Sequence, residues 1–181
     1  IMLCLTMCYL LIGQNLGILM VKTKSIVTET SVKSLLQVDA SNLFHCVNTK
    51  FPGRKLSYDY LASKCGRTFK SIVYGAQMGN EADYFIKKVQ SYGFSTKFKK
   101  PKTFGDGARK ADWDIGITVD AFRYVNRYER LILCTGDGDF KPLVEYLTSI
   151  GKDVYVYGCN ISRDLRDTAT YWEEVTSEWL H

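Results

Sequence analysis

The sequence is poor in the side chains that build zinc sites and nucleophilic active sites. It contains only two histidines, His45 and His181, and its six cysteines include no C-x-x-C pair. This pattern argues against a zinc site. His45 has no acidic or thiol partner near it in the sequence, so we interpret it as a surface or partly buried side chain.

The cysteines also indicate the redox setting. Cys134 and Cys159 lie in or just after apolar runs, where a free cysteine usually packs as a small hydrophobic side chain. A reducing setting is the simplest explanation, and we expect a cytoplasmic location.

Repeats, low-complexity tracts and a G-x-x-x-x-G-K-[ST] phosphate-binding loop are absent from the sequence. Without that loop, a nucleotide hydrolase or phosphatase is the weaker hypothesis. The composition, 46% hydrophobic and 24% charged over 181 residues, is typical of one globular domain. A net charge of +5 favours a polyanionic partner.

Residues 1–21 contain no charged side chain. The run could just span a bilayer, but Gln14 and Asn15 lie in its middle, and no basic residue precedes it as in a secretory signal. We interpret it as an upstream extension before a functional start at Met20. A membrane anchor is the main alternative, and a signal or packing segment stays open.

From residue 34 onward, short apolar runs alternate with segments of helical periodicity. This alternation is typical of parallel strands joined by crossover helices. The sequence predicts an α/β fold: a three-layer α/β/α sandwich with about five mostly parallel strands. We assign this domain to residues 34–181 and set residues 1–33 apart as the apolar extension. The predicted strands are 34–39, 70–76, 94–98, 130–136 and 152–158.

Turn and capping residues mark the helices between these strands. Asn80 is expected to cap a helix over 80–93, which Gly93 ends. Ser57 is expected to cap the next helix upstream, and Gly151 to end the helix after the fourth strand.

Acidic and amide side chains follow two of the predicted strands. VDASN places Asp39 at the end of the first strand and Asn42 soon after it, and TGDGDF places Asp137 and Asp139 just after the fourth. If these strands are neighbours, the side chains converge at the carboxyl edge of the sheet, where open α/β folds bind ligands. Converging carboxylates need a cation, and Mg²⁺ or Mn²⁺ prefers such ligands.

Each of these features also has a purely structural explanation. Aspartate is a favoured helix N-cap, so Asp39 or Asp137 alone is more often a cap than a catalyst. Gly136 and Gly138 could equally serve a tight turn. Capping leaves unexplained why several acids should follow strands that meet.

A second acidic segment, DWDIGITVDA, precedes the fourth strand. Asp114 and Asp120 are six residues apart, which separates them by roughly 120° around a regular helix. We expect Asp114 to face the metal, and Asp120 to be an acceptor behind the ligands or to hold the helix to the sheet. Asp112 is interpreted as a solvated loop residue.

A basic segment lies just before Asp114 and is interleaved with Phe98 and Phe104. Such a mixture suits a groove that binds a nucleic-acid backbone while bases stack. A solvated charge run on a mobile loop is the alternative, and Arg163 and Arg166 are weaker candidates. The candidate contacts are Lys97, Lys99, Lys100, Lys102, Arg109 and Lys110.

These motifs, VDASN, KADWDIGITVDA and TGDGDFKPLV in this order, resemble the NYN domain, a PIN-like nuclease group that includes LabA-like proteins. The resemblance covers about 35–172. It implies metal-dependent cleavage of RNA with Mg²⁺ or Mn²⁺. It also implies an acidic metal site made by Asp39, Asn42, Asp114, Asp120, Asp137 and Asp139, in which Asp39, Asp114, Asp137 and Asp139 are catalytic.

Two positions depart from the family pattern. Gly138 stands where the family usually has a serine between the two acids, and the spacing from Lys110 to Asp114 is one residue longer than the commonest form.

The function expected from the motifs and the resemblance is a metal-dependent ribonuclease, with single-stranded or structured RNA as partner and a homodimer left open. A non-catalytic module of the same fold, binding RNA or a protein, is the rival hypothesis.

Overall fold

Six parallel strands form the central sheet of the protein. The computed structural model describes residues 32–77, 79–103, 109–110 and 112–181. The sheet has the order β3-β2-β1-β6-β7-β8, while β4 and β5 make a separate antiparallel pair. The strands are β1 Ser34–Asp39, β2 Lys70–Ala76, β3 Ser95–Lys99, β4 Lys102–Thr103, β5 Arg109–Lys110, β6 Arg130–Cys134, β7 Asp153–Gly158 and β8 Tyr171–Glu174.

Helices cover both faces of this sheet. Side chains alternate along β1, so Leu35 packs in a cluster with side chains of α4, α5 and α6, whereas Leu36 packs with those of α1, α2 and α3. The inner strands are thus buried on both faces, as the apolar runs predict. The helices are α1 Ala40–Lys50, α2 Tyr58–Cys65, α3 Gly79–Ser91, α4 Asp114–Arg123, α5 Lys141–Ser149 and α6 Arg163–Thr168.

The α/β/α architecture is confirmed, and all five predicted strands are present. The prediction missed the short pair of β4 and β5 and the edge strand β8. Every residue of β8 is exposed or half-buried, so this strand has no apolar run. Asn80 lies inside α3, which already begins at Gly79, so it is not the cap. Ser57 does cap α2, with its hydroxyl accepting from the amide of Tyr60.

Most of the segment set apart as residues 1–33 lies outside the described residues, and with it the proposed extension or anchor. Within the described part of the chain, none of the helices combines the length and the apolar character that crossing a bilayer requires.

A buried polar network fastens α4 to the sheet. Asp120 on α4 is 1% exposed. Its Oδ2 accepts hydrogen bonds from the Tyr74 hydroxyl (2.7 Å) and the Lys97 ammonium (2.5 Å), and its Oδ1 accepts from Arg123 (2.7 Å). Gln37 on β1 donates in turn to the Tyr74 oxygen (2.8 Å) and to a backbone carbonyl of α4. The network connects three strands to α4. Burial of the Asp120 carboxylate would be costly without charged and hydrogen-bonding partners, and these contacts supply them.

Val156→Ala tests the packing of the sheet. Val156 on β7 is fully buried, so the substitution should lower the free energy of unfolding by about 2 kcal/mol through lost burial and a small cavity. Val119→Ala on α4 is the matched control, because Val119 is 46% exposed and should change stability by less than about 0.5 kcal/mol. Urea denaturation measures both, and equal effects would contradict this placement of the core.

Asp120→Ala tests the network. Loss of the carboxylate leaves Tyr74 without its acceptor and Lys97 without its counter-charge, and should cost about 3 kcal/mol. Asp153→Ala is the control: its side chain is 44% exposed and paired with Arg130, and such a surface pair contributes about 1 kcal/mol or less. If urea denaturation shows Asp120→Ala to be no worse than the control, the network does not hold α4.

Candidate metal centre

The candidate site lies where β1 and β6 run side by side. The two strands pair in register, with Val38 opposite Cys134, so Asp39 at the end of β1 lies beside the start of the TGDGDF loop. The condition on which the predicted convergence of these side chains depended, that the two strands are neighbours, is met. β1 separates the strands β2 and β3 from the strands β6, β7 and β8, so this edge is the point where the strand order reverses, the usual ligand position in such sheets.

Asp39 is the N-cap of α1. Its Oδ1 accepts hydrogen bonds from the amides of Ser41 and Asn42, both 3.1 Å. Burial raises the pKa of Asp39, the two amide bonds lower it, and the nearby charge of Asp137 raises it again. The capping explanation for Asp39 therefore holds, and the same carboxyl group still feels the charge of Asp137.

Asn42 ties α1 to the TGDGDF loop. Its side-chain oxygen accepts a hydrogen bond from the amide of Gly136 at 2.9 Å. A Cβ at Gly136 would lie 2.8 Å from the carbonyl oxygens of Cys159 and Asn160, so only glycine lets the loop pack this closely against the chain after β7. These two contacts fix the position of Gly136, the residue directly before Asp137.

The loop itself is closed by short-range hydrogen bonds. The amide of Asp137 donates to the Thr135 hydroxyl at 3.2 Å, and the amide of Asp139 donates to Oδ1 of Asp137 at 3.0 Å. Asp137 thereby caps the single 3-10 turn Gly138–Phe140 that precedes α5. Asp137 thus caps this turn, and its role as a cap does not exclude a role in a converging acidic site.

Three carboxyl groups converge at this point. One oxygen each from Asp114, Asp137 and Asp139 lie within 4.8 Å of one another. Asp114 and Asp137 are half-buried and Asp139 is exposed. Among the residues that the structure describes, no lysine or arginine forms an ion pair with any of the three.

The electrostatics of Asp114 reflect this lack of counter-charge. Burial raises its pKa to about 7, helped by a hydrogen bond with Asp112 and by the charges of Asp112, Asp39 and Asp137. Like charges raise one another's pKa because each disfavours ionisation of the next. A hard divalent cation, which takes several carboxylate oxygens, would relieve the repulsion. The donor set therefore fits Mg²⁺ or Mn²⁺.

Asp114 owes its position to Trp113. The indole NH of Trp113 donates to the carbonyl of Gly75 on β2 at 2.9 Å. Its ring covers Gly116, where a Cβ would come within 2.6 Å of a ring carbon. The sequence interpretation missed this anchor, although an aromatic residue directly before a helix with glycine three residues later was a readable signal.

Asp120 does not join the three converging carboxyl groups. Both of its oxygens are occupied by Tyr74, Lys97 and Arg123, and its contacts match the alternative expectation that it holds the helix to the sheet. We therefore leave Asp120 out of the proposed ligand set.

The basic segment before α4 divides into different environments. Lys97 pairs with Asp120, and Lys99 donates to the carbonyl of Asp112 while lying 4.6 Å from the centre of the Trp113 ring. Lys100 is exposed. The side chains of Lys102, Arg109 and Lys110 lie outside the described part, so their expected contacts with nucleic acid stay predictions.

A cavity of about 530 Å³ opens beside Asp137, on the side of β7 and α6. Asn42, Gly136, Ser162 and Arg163 contribute to its lining. The Arg163 side chain is 91% exposed, and its ion pair with Asp167 is long, at 3.5 Å. The sequence interpretation ranked Arg163 as a weak phosphate contact and did not foresee the cavity, because the three segments that form its walls are far apart in the chain.

Comparison with known proteins adds three findings. The pattern of the NYN domain matches residues 33–175. The low amplitude and bright protein LabA of Synechococcus elongatus is 32% identical over 91 residues, which cover 46% of this chain and 49% of that protein. The chain thus spans about half the length of this curated relative.

The third finding is a solved structure. The crystal structure of a protein of unknown function from Vibrio parahaemolyticus RIMD 2210633 superposes with a TM-score of 0.76 and 27% sequence identity, covering 83% of this chain and 96% of that one. The likeness in fold agrees with the match along the sequence, which extends over most of the chain and includes all the acidic motifs. The chain therefore belongs to the NYN domain family.

Proposed function

We propose that this protein is a metal-dependent ribonuclease whose reaction centre is the cluster of Asp114, Asp137 and Asp139. The observation that carries the proposal is the convergence of these three carboxyl groups, without a described counter-charge, at the carboxyl edge of the sheet. NYN domains are generally nucleases, and membership of the family supports the same conclusion.

The chain's own residues have separate tasks in this proposal. Asp114, Asp137 and Asp139 would hold Mg²⁺ or Mn²⁺, and Asp39 adds negative charge beside them while it caps α1. Asn42 fixes the loop that carries two of the ligands. The bound cation would supply Lewis-acid activation of the phosphodiester and of water.

RNA is the proposed substrate class. The net charge of +5 favours a polyanion, and exposed Lys100 and Arg163 are available for phosphate oxygens. Lys97 and Lys99 support this role indirectly, since Lys97 pairs with Asp120 on α4 and Lys99 binds the carbonyl of Asp112 just before Asp114. Lys102, Arg109 and Lys110 follow in the same stretch of sequence, and we predict further phosphate contacts for them from the sequence alone.

Cleavage of labelled single-stranded RNA tests the proposal. The full chain should cleave with Mn²⁺ or Mg²⁺ and not with EDTA, and Asp137→Asn/Asp139→Asn should reduce the rate at least about 100-fold by removing two ligands. The matched control is Glu129→Gln/Asp153→Asn. It changes the charge equally, but at the amino ends of β6 and β7, on the opposite edge of the sheet.

The opposing result is also specific. If no RNA is cleaved with either ion, yet the folded protein retains RNA in a gel-shift assay equally with and without the two substitutions, the protein is a non-catalytic binding module. A cleavage rate that EDTA leaves unchanged would equally exclude the proposed chemistry.

Asp114→Asn should stabilise the metal-free protein and weaken its binding of metal. Asp114 binds its proton more tightly in the folded than in the unfolded protein, so its contribution to stability declines as pH rises from about 4 to about 7. The substitution should therefore raise the unfolding free energy at about pH 8 more than at about pH 5. We expect on the order of 1 kcal/mol, because solvent screens a half-exposed group.

The same variant should respond differently to metal. Mn²⁺ should raise the melting temperature of the unsubstituted protein, since a ligand bound only by the folded state stabilises it. The rise should shrink in Asp114→Asn and persist in Asp153→Asn. A destabilised Asp114→Asn protein in metal-free buffer at about pH 8 would show that the carboxyl groups do not repel one another as described.

A further inference from the structure

Two thiol groups lie in contact at the wall of the cavity beside the TGDGDF loop. The sulfur atoms of Cys46 on α1 and Cys159 after β7 are 2.7 Å apart, although 113 residues separate them in the chain. A disulfide S–S bond is about 2.05 Å long. Both cysteines are free thiols and both line the cavity beside Asp137, from which a small oxidant can reach the half-buried Cys46.

We propose that Cys46 and Cys159 form a reversible disulfide bond when the protein reacts with hydrogen peroxide. The sulfur of Cys46 attacks one peroxide oxygen; an S–O bond forms, the O–O bond breaks, and the other oxygen leaves as water after taking the thiol proton. The sulfur of Cys159 then attacks that of Cys46; the S–S bond forms, the S–O bond breaks, and a second water leaves with the remaining proton. Two thiols lose two electrons in total, and hydrogen peroxide is reduced to two waters.

The environments of the two cysteines fit this order. Cys46 is half-buried and reaches the cavity, whereas Cys159 is 1% exposed. Burial and the contact with Cys46 raise the pKa of Cys159 to about 12, while the ammonium group of Lys50 opposes this rise. Cys159 thus stays a thiol at neutral pH, and Cys46 is the sulfur that meets the oxidant first.

The disulfide bond would cross-link α1 to the segment after β7, next to the candidate site. Asn42, one helical turn before Cys46, holds Gly136 by a hydrogen bond. The backbone carbonyl of Cys159 packs against the same glycine. A disulfide would therefore join the two segments that grip the TGDGDF loop, at a place distinct from the metal ligands. The inference does not depend on the proposed nuclease activity.

Peptide mapping of the full chain tests the proposal. The protein is reduced, freed of reductant, treated with about one equivalent of hydrogen peroxide and digested with trypsin without reduction. Trypsin places Cys46 in the peptide 34–50 and Cys159 in the peptide 153–163. We expect a linked species lighter than the sum of the two peptides by two hydrogen atoms, and we expect dithiothreitol to abolish it. Cysteine left unlinked, linked to any other cysteine, or converted to sulfinic acid would overturn the pairing.

Thermal unfolding provides a second readout. A cross-link that closes so long a loop should raise the melting temperature by roughly 5 °C or more. The rise should be absent in Cys46→Ser, whose site is half-buried and tolerates a hydroxyl better than that of Cys159. Cys65→Ser is the matched control, because Cys65 is also half-buried but lies on α2. A rise that persists in Cys46→Ser, or that is lost in Cys65→Ser, would refute the assignment.

Discussion

The pairing of β1 with β6 decides where the acidic side chains of this protein meet. Each strand leads into a helical turn, and an aspartate side chain caps that turn in both cases: Asp39 at the end of β1 and Asp137 after β6. Two local capping motifs become one site only because the two strands are neighbours in the same direction. The geometry of a parallel sheet then places both carboxylates at one edge.

Helix α4 shows how the same side chain acquires different roles from its surroundings. Asp114 begins the helix beside Asp39, Asp112 and Asp137, and its raised pKa reflects the accumulated negative charge. Asp120 is more deeply buried, yet it is balanced by Lys97 and Arg123. The balanced carboxylate fixes the helix, and the unbalanced one is left with charge that a cation can neutralise. Anchor and candidate ligand are thus supplied by one short helix.

The TGDGDF loop is held from three directions, which explains how it can carry two exposed or half-exposed acids in one arrangement. Asn42 binds its backbone from α1, the chain after β7 packs against Gly136, and Asp137 closes the turn from within. Such fixation reduces the entropy lost when a ligand binds. Cys46 and Cys159, whose thiols are in contact, belong to the two segments that make the first two of these contacts.

The sequence by itself determined the order of strands and helices, and with it the α/β/α architecture. Hydrophobic periodicity and capping residues are local properties, so they can be read along the chain; β8 escaped because its exposed side chains leave no apolar run. The acidic motifs likewise predicted a site at the carboxyl edge, and the family resemblance implied that it contains Asp39, Asn42, Asp114, Asp120, Asp137 and Asp139. Only the tertiary structure decided which acids are neutralised, because that depends on contacts between distant segments. Asp120 on α4 pairs with Lys97 on β3, and Cys46 on α1 contacts Cys159 after β7. Neither contact can be read from the local sequence, because the partners lie far apart in the chain.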